Sequence, residues 1–122
     1  MKLRIKGNSI RIRLTKTEVA QFGEKGYWEE KTEFGNTTLT YAIQKDSVAK
    51  ELSAKMEGTT ITMILPEPIA NEWTSTNIVG FQNQYQLPTG TELFLLIEKD
   101  FVCLDNTFED QSDNYPNPNA HC

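Results

Sequence analysis

Both cysteines and the only histidine of this chain fall within its last twenty residues, CLDNTFEDQSDNYPNPNAHC, with Cys103 at the start and His121 and Cys122 at the end. The same stretch carries Asp105, Glu109, Asp110 and Asp113 and no Lys or Arg. Thiolate, imidazole and carboxylate are the ordinary zinc ligands, so Cys103, Asp110, Asp113, His121 and Cys122 form a candidate divalent-metal set. The spacing lacks C-x-x-C or H-x-x-x-H, and adjacent His121 and Cys122 are awkward as joint ligands of one tetrahedral ion. An all-oxygen calcium loop over Asp105 to Asp113 fails because the central glycine and the closing glutamate are missing. A Cys103–Cys122 disulfide would close a loop worth about 3 kcal/mol, but a reducing compartment would not preserve it. Cys103, His121 and Asp113 also contain the types needed for thiol catalysis, yet all three sit on one segment without a rigid frame. The competing reading is an acidic, Asn- and Pro-rich terminus that is solvated or docked. No catalytic residue is assigned, and no P-loop, dinucleotide fingerprint or nucleophile elbow occurs.

The opposite end holds the opposite charge. Lys2, Arg4, Lys6, Arg11, Arg13 and Lys16 precede the first acid, Glu18, so the first sixteen residues carry six positive charges in a chain whose net charge is −5. The remainder therefore carries −11. Alternation with apolar residues puts Lys2, Arg4, Lys6, Arg11 and Arg13 on a face that could hold phosphates. Pairing with Glu29, Glu30, Glu33 or the acidic end would neutralise it at little energetic gain per pair. No aromatic residue interleaves these cations in sequence, so a stacking platform for single strands is not expected, and the acidic total argues against non-specific nucleic-acid binding. The expected partners are a metal ion, an anionic ligand, another protein or a second copy of the chain.

The elements that must carry these groups are short. Residues 2 to 14 alternate on both sides of Gly7-Asn8 and predict a hairpin. Thr15 and Glu18 have the spacing of a capping box, opening a helix to about Gly23 that buries Val19 and Phe22, with Gly23 and Gly26 as stop signals. Tyr27 to Phe34 and Thr38 to Gln44 read as strands around Gly35-Asn36. Sliding the chain by 51 residues places Ile5, Ile10, Ile12, Leu14 and Phe22 on Met56, Ile61, Met63, Leu65 and Trp73. An offset of 54 places Leu39, Tyr41 and Ile43 on Leu93, Leu95 and Ile97. The second helix then covers Ile69 to Thr74, and residues 46 to 50 are a turn. Self-similarity at one period is the sequence sign of a duplicated unit.

The expected fold class is α+β, mainly antiparallel β: two ββαββ pseudo-repeats, about 2–46 and 51–100, closing into one barrel-like or two-sheet domain over 1–102. Residues 103–122 form the acidic appendage. Leu3, Leu39, Tyr41, Leu93 and the other apolar positions of the repeat are the expected core, with Trp28 and Trp73 beside the helices. With 122 residues, 38% of them hydrophobic, the chain can bury a core without staples. Its longest apolar run, Leu93 to Ile97, is far short of the ~20 residues a bilayer span requires. No apolar leader follows Met1, so the expected location is cytoplasmic.

Taken whole, the sequence resembles a family of small uncharacterised bacterial proteins, through KLRIKGNSIRIRLTKTEV, FGNTTLTYA, ELFLLIEKDF and CLDNTFEDQSDNYPNP. That resemblance implies a bacterial, cytoplasmic setting and transfers no activity and no catalytic residue.

Overall fold

A computed structural model describes residues 1–101 together with Asp113 and Tyr115. The chain runs β1 (Lys2–Ile5), β2 (Ser9–Leu14), α1 (Lys16–Lys25), β3 (Tyr27–Glu33), β4 (Thr38–Asp46), β5 (Ser53–Glu57), β6 (Thr60–Pro66), α2 (Glu67–Ser75), β7 (Gly80–Gln86) and β8 (Glu92–Lys99). The expected α+β order of elements is present. Eight strands form two four-stranded sheets: sheet A in the order β1-β2-β8-β7 and sheet B in the order β3-β4-β6-β5.

Of the two arrangements expected, the two-sheet one is found and the barrel is not, because each sheet ends on its own edge strands rather than closing on the other. Pairing among the described strands is mainly antiparallel, as expected, in four of the six ladders. The hairpins are antiparallel, but each sheet is joined at its centre by a parallel ladder, β2 with β8 and β4 with β6. A hairpin from the start of the chain thus pairs with one from its end, and the two middle hairpins pair with each other.

Helix α1 begins where its capping box requires. The Thr15 hydroxyl accepts from the Glu18 backbone N–H and the Glu18 carboxylate accepts from that of Thr15. The helix runs past Gly23 and stops at Gly26, whose φ of 73° is the left-handed conformation that glycine adopts without strain. Gly23 serves packing instead. A Cβ there would stand 3.1 Å from the Cβ of Thr74 on α2, so the missing side chain lets the helices approach. Beside that crossing, Phe22 and Trp73 meet edge to face with ring centroids 6.3 Å apart, a favoured aromatic geometry.

One apolar cluster joins both sheets through these helices: Ile12, Leu14, Leu95 and Ile97 from sheet A, Ile43, Met63 and Leu65 from sheet B, and Val19, Phe22, Ala70 and Trp73 from the helices. The Trp73 indole donates to the Val79 carbonyl at 2.9 Å, so its polar atom is satisfied inside the core. Leu3, Ile10, Leu39, Tyr41, Leu93 and Trp28 are half-buried rather than buried. Ile5 and Met56, expected in the core, are 56% and 65% exposed. Both stand at the hairpin ends of edge strands β1 and β5, where alternation continues but nothing covers it.

Candidate anion-binding face

Alternation along a strand sends successive side chains to opposite faces, so the pairing register fixes which residues share the outer face of sheet A. Leu3, Ile12, Ile97 and Phe81 stand in one inward row. The neighbouring outward rows are Lys2–Arg13–Glu98–Gly80 and Arg4–Arg11–Leu96–Gln82, followed by Ser9–Phe94–Gln84 beyond the end of β1. Lys6 follows β1 and joins Arg4, Ser9, Ile10, Arg11 and Phe94 around a cavity of about 200 Å³. An adjoining hollow of about 330 Å³ is lined by Lys2, Leu3, Arg4, Arg11 and Arg13. All five cations expected on one face of the hairpin therefore share one surface.

Their neutralisation differs from the sequence expectation. Glu29, Glu30 and Glu33 belong to sheet B, because β1–β2 pairs with β8 rather than β3. Glu30 accepts the Met1 ammonium, and Glu29 accepts from the Tyr27 hydroxyl at 2.9 Å. The carboxylate that faces the cations is Glu98. Arg13 donates to it at 2.5 Å, and Arg11 lies 3.8 Å from the same oxygen. Lys2 pairs with Asp100 at 3.1 Å. Among the described residues no carboxylate lies within ion-pairing distance of Arg4 or Lys6. Arg4 and Arg11 stand directly across from each other in the ladder, a like-charge placement that costs stability unless an anion shares it.

Sequence reasoning missed one group here. Phe94 is 83 positions from Arg11 in sequence, yet the parallel β2–β8 ladder sets it opposite Ser9 and beside Arg11. The aromatic neighbour absent from the hairpin is supplied by the last strand. No local signal announces a parallel partnership across the length of a domain.

Of the candidate metal ligands, Cys103, Asp110, His121 and Cys122 lie outside the described residues. Asp113 is described, and it meets the start of α1. Its backbone carbonyl accepts from the Lys16 N–H at 3.0 Å, and its carboxylate accepts from the Thr17 hydroxyl at 2.9 Å. Hydrogen bonds from Thr15 and Thr17 hold this carboxyl below its usual pKa, as expected of an acid at a helix N-terminus. Tyr115 donates its N–H to the Asp100 carbonyl, and its ring stands 5.6 Å from both the Phe101 ring and the Lys99 ammonium. Among the described residues no group of three or more His, Cys, Asp or Glu side chains is placed to hold a metal ion.

Lys99 and Glu18 are two shielded charged groups of the frame, the first buried and the second half-buried. Lys99 is 5% exposed and donates to the Thr76 carbonyl at 2.7 Å, and burial lowers its pKa. Burial alone would raise the Glu18 carboxyl, but the Met1 ammonium and the Thr15 N–H outweigh it and the net shift is downward. Both groups anchor elements of the frame and stand apart from the basic face.

Fold and surface together define a small two-sheet α+β protein with one strongly basic sheet face. The chain belongs to a family of unknown function, DUF7009, whose model matches residues 1–119. No curated protein and no solved structure matches it. Among the described residues no helix is long and apolar enough to cross a membrane.

Proposed function

We propose that this protein is a binding module whose outer sheet A face takes a polyanionic, phosphate-bearing partner. The observation that carries this reading is the charge imbalance of that face: Lys2, Arg4, Lys6, Arg11 and Arg13 gathered on two adjacent strands, with Glu98 shared by two of them and Arg4 and Lys6 outside any described ion pair. Guanidinium forks bind phosphate oxygens bidentately, and the Arg4–Arg11 pair offers two side by side. In a chain of net charge −5, such a concentration of cations also steers an anion to this surface.

The test is binding of inorganic polyphosphate to the full chain at low salt. Affinity should fall as salt rises, with a log–log slope of about −3 if four phosphates are neutralised as on a single strand. The double charge reversal Arg4→Glu, Arg11→Glu should abolish binding while leaving the circular dichroism spectrum unchanged. Lys55→Glu, at the equivalent place on sheet B, should have no effect. Absence of binding, or binding that survives the double reversal, refutes the reading.

We also propose that the fold arose as two copies of one ββαββ unit. Strand order supports it, since exchanging β1–β4 with β5–β8 converts sheet A into sheet B. Register supports it too: Ile12 faces Ile97 in sheet A, and Met63, 51 residues on from Ile12, faces Ile43, 54 residues before Ile97. Phe22 and Trp73, and Gly23 and Thr74, are likewise 51 apart and meet across the helix crossing. One copy would have acquired a basic face while the other kept a neutral one.

A further inference from the structure

The outer face of sheet A is graded across its strands, and the grading narrows the class of polyanion. Cations occupy β1 and β2, the half-buried apolar side chains Phe94 and Leu96 occupy the middle of β8 between Glu92 and Glu98, and exposed Gln82, Gln84 and Gln86 occupy β7. Neighbouring strands lie about 4.8 Å apart, so the Arg4–Arg11–Leu96–Gln82 row runs from cation through apolar surface to carboxamide over about 15 Å. Along the strands, same-face cations recur every second residue, about 6.7 Å apart. An inorganic phosphate chain would use only the first two columns.

Resting on the polyanion reading above, we infer that the partner is a single-stranded nucleic acid lying across sheet A. Its phosphates are held by Arg4, Lys6, Arg11 and Arg13, and one base stacks on Phe94. The repeat of the cations along the strands is of the order of the separation between successive phosphates in an extended single strand. Phe94 sits one strand over from the cations, at the rim of the cavity lined by Arg4, Lys6 and Arg11, where a base attached to a bound phosphate would reach it. The glutamines of β7 carry both donors and acceptors and meet the base edges beyond the ring. Stacking of this kind tolerates any base, because every base presents a π-face, so the module discriminates strandedness more than sequence. Gly80, at the end of the row holding Glu98, leaves that row without a side chain on β7.

The experiment compares a fluorescein-labelled oligothymidylate, inorganic polyphosphate and polyglutamate as probes of the full chain, with Phe94→Ala, Phe94→Tyr and Phe94→Leu. The expected result is that Phe94→Ala and Phe94→Leu weaken oligothymidylate binding roughly tenfold, Phe94→Tyr restores it, and polyphosphate affinity does not change. Glu98→Gln should strengthen both nucleic acid and polyphosphate binding by releasing Arg11 and Arg13. If polyphosphate binds but oligothymidylate binding is indifferent to Phe94, the nucleic-acid inference fails and the polyanion reading stands. Polyglutamate binding as tight as oligothymidylate, with the same indifference, would point to an acidic protein and also overturns the inference. If none of the three probes binds, both readings fall together.

Discussion

Sheets A and B share one strand order and one kind of ladder at each position, yet their outer faces differ in every row. Where sheet A has Lys2–Arg13–Glu98–Gly80, sheet B has Ser53–Ile64–Gln44–Tyr27. Where sheet A has Arg4–Arg11–Leu96–Gln82, sheet B has Lys55–Thr62–Ala42–Glu29. Sheet B closes its surface with small residues. Ala42 and Thr62 are 0% and 7% exposed, and its lysines pair on their own strands, Lys31 with Glu29 and Lys55 with Glu57. Sheet A leaves like charges facing each other and two apolar side chains half-open. The inward rows are apolar in both sheets and meet in one cluster. Inward residues thus answer to packing, which is the same problem in both sheets. Outward residues were constrained only by solubility, and one set carries an arrangement that an isolated sheet would avoid.

The largest test of the comparison asks whether the sheets are one cooperative unit. Trp73→Ala and Phe22→Ala each remove a buried ring from the helix crossing that both sheets share, and each should cost about 3–5 kcal/mol. Denaturation followed by near-ultraviolet and far-ultraviolet circular dichroism should stay coincident in both variants. Separate transitions would mean that the sheets fold independently.

Next in size is a backbone contact that only sheet A possesses. A Cβ on Gly80 would stand 2.1 Å from the Ile97 carbonyl oxygen and 2.9 Å from the Glu98 Cα, both fixed backbone atoms. Gly80→Ala should therefore cost about 2 kcal/mol or more, read as a lowered denaturation midpoint. The equivalent position of sheet B is Tyr27, 39% exposed, and Tyr27→Ala should cost less than about 1 kcal/mol.

Smaller again is the contribution of the cap that fixes α1 between the sheets. Because the folded-state pKa of Glu18 is lowered from 4.5, its stabilisation is fully present above that value and is lost as pH falls through the folded one. Glu18→Gln should lose about 1 kcal/mol at neutral pH and show a shallower acid-side fall in melting temperature than the parent. A parallel fall in both proteins would show that the stability does not depend on this carboxylate.

The smallest expected effect is also the most diagnostic of the difference between the faces. Replacing Arg11 with the residue at its sheet B equivalent, Arg11→Thr, removes the like-charge pair with Arg4 and should stabilise the fold by about 0.5 kcal/mol. The same change should make the salt slope of polyphosphate binding shallower by about 0.7. A gain in stability together with a loss in binding identifies the cation pair as a functional feature held against the fold's preference.

The local elements were legible in the residues. Gly7-Asn8 between alternating runs specified the first hairpin, Thr15 and Glu18 specified a helix start, and the apolar coincidence of Ile12 with Met63 and Ile43 with Ile97 identified the central strands. Each signal acts over a few residues through side-chain alternation or a free backbone N–H, so sequence alone determines it. The end of α1 was bracketed by two stop signals, Gly23 and Gly26, and only the approach of Thr74 shows that Gly23 serves packing while Gly26 is the cap. Ile5 and Met56 were misassigned because alternation reports which face a residue occupies and not whether anything covers that face. The five cations of the basic face were legible from Lys2 to Arg13. Their partner Glu98 and their aromatic neighbour Phe94 were not, because both come from β8, brought alongside β2 by a parallel ladder spanning most of the chain. A ladder of that kind leaves no local mark, since backbone hydrogen bonds are indifferent to which strand supplies them. Burial of the shared core decides the pairing, and only the tertiary structure records the outcome.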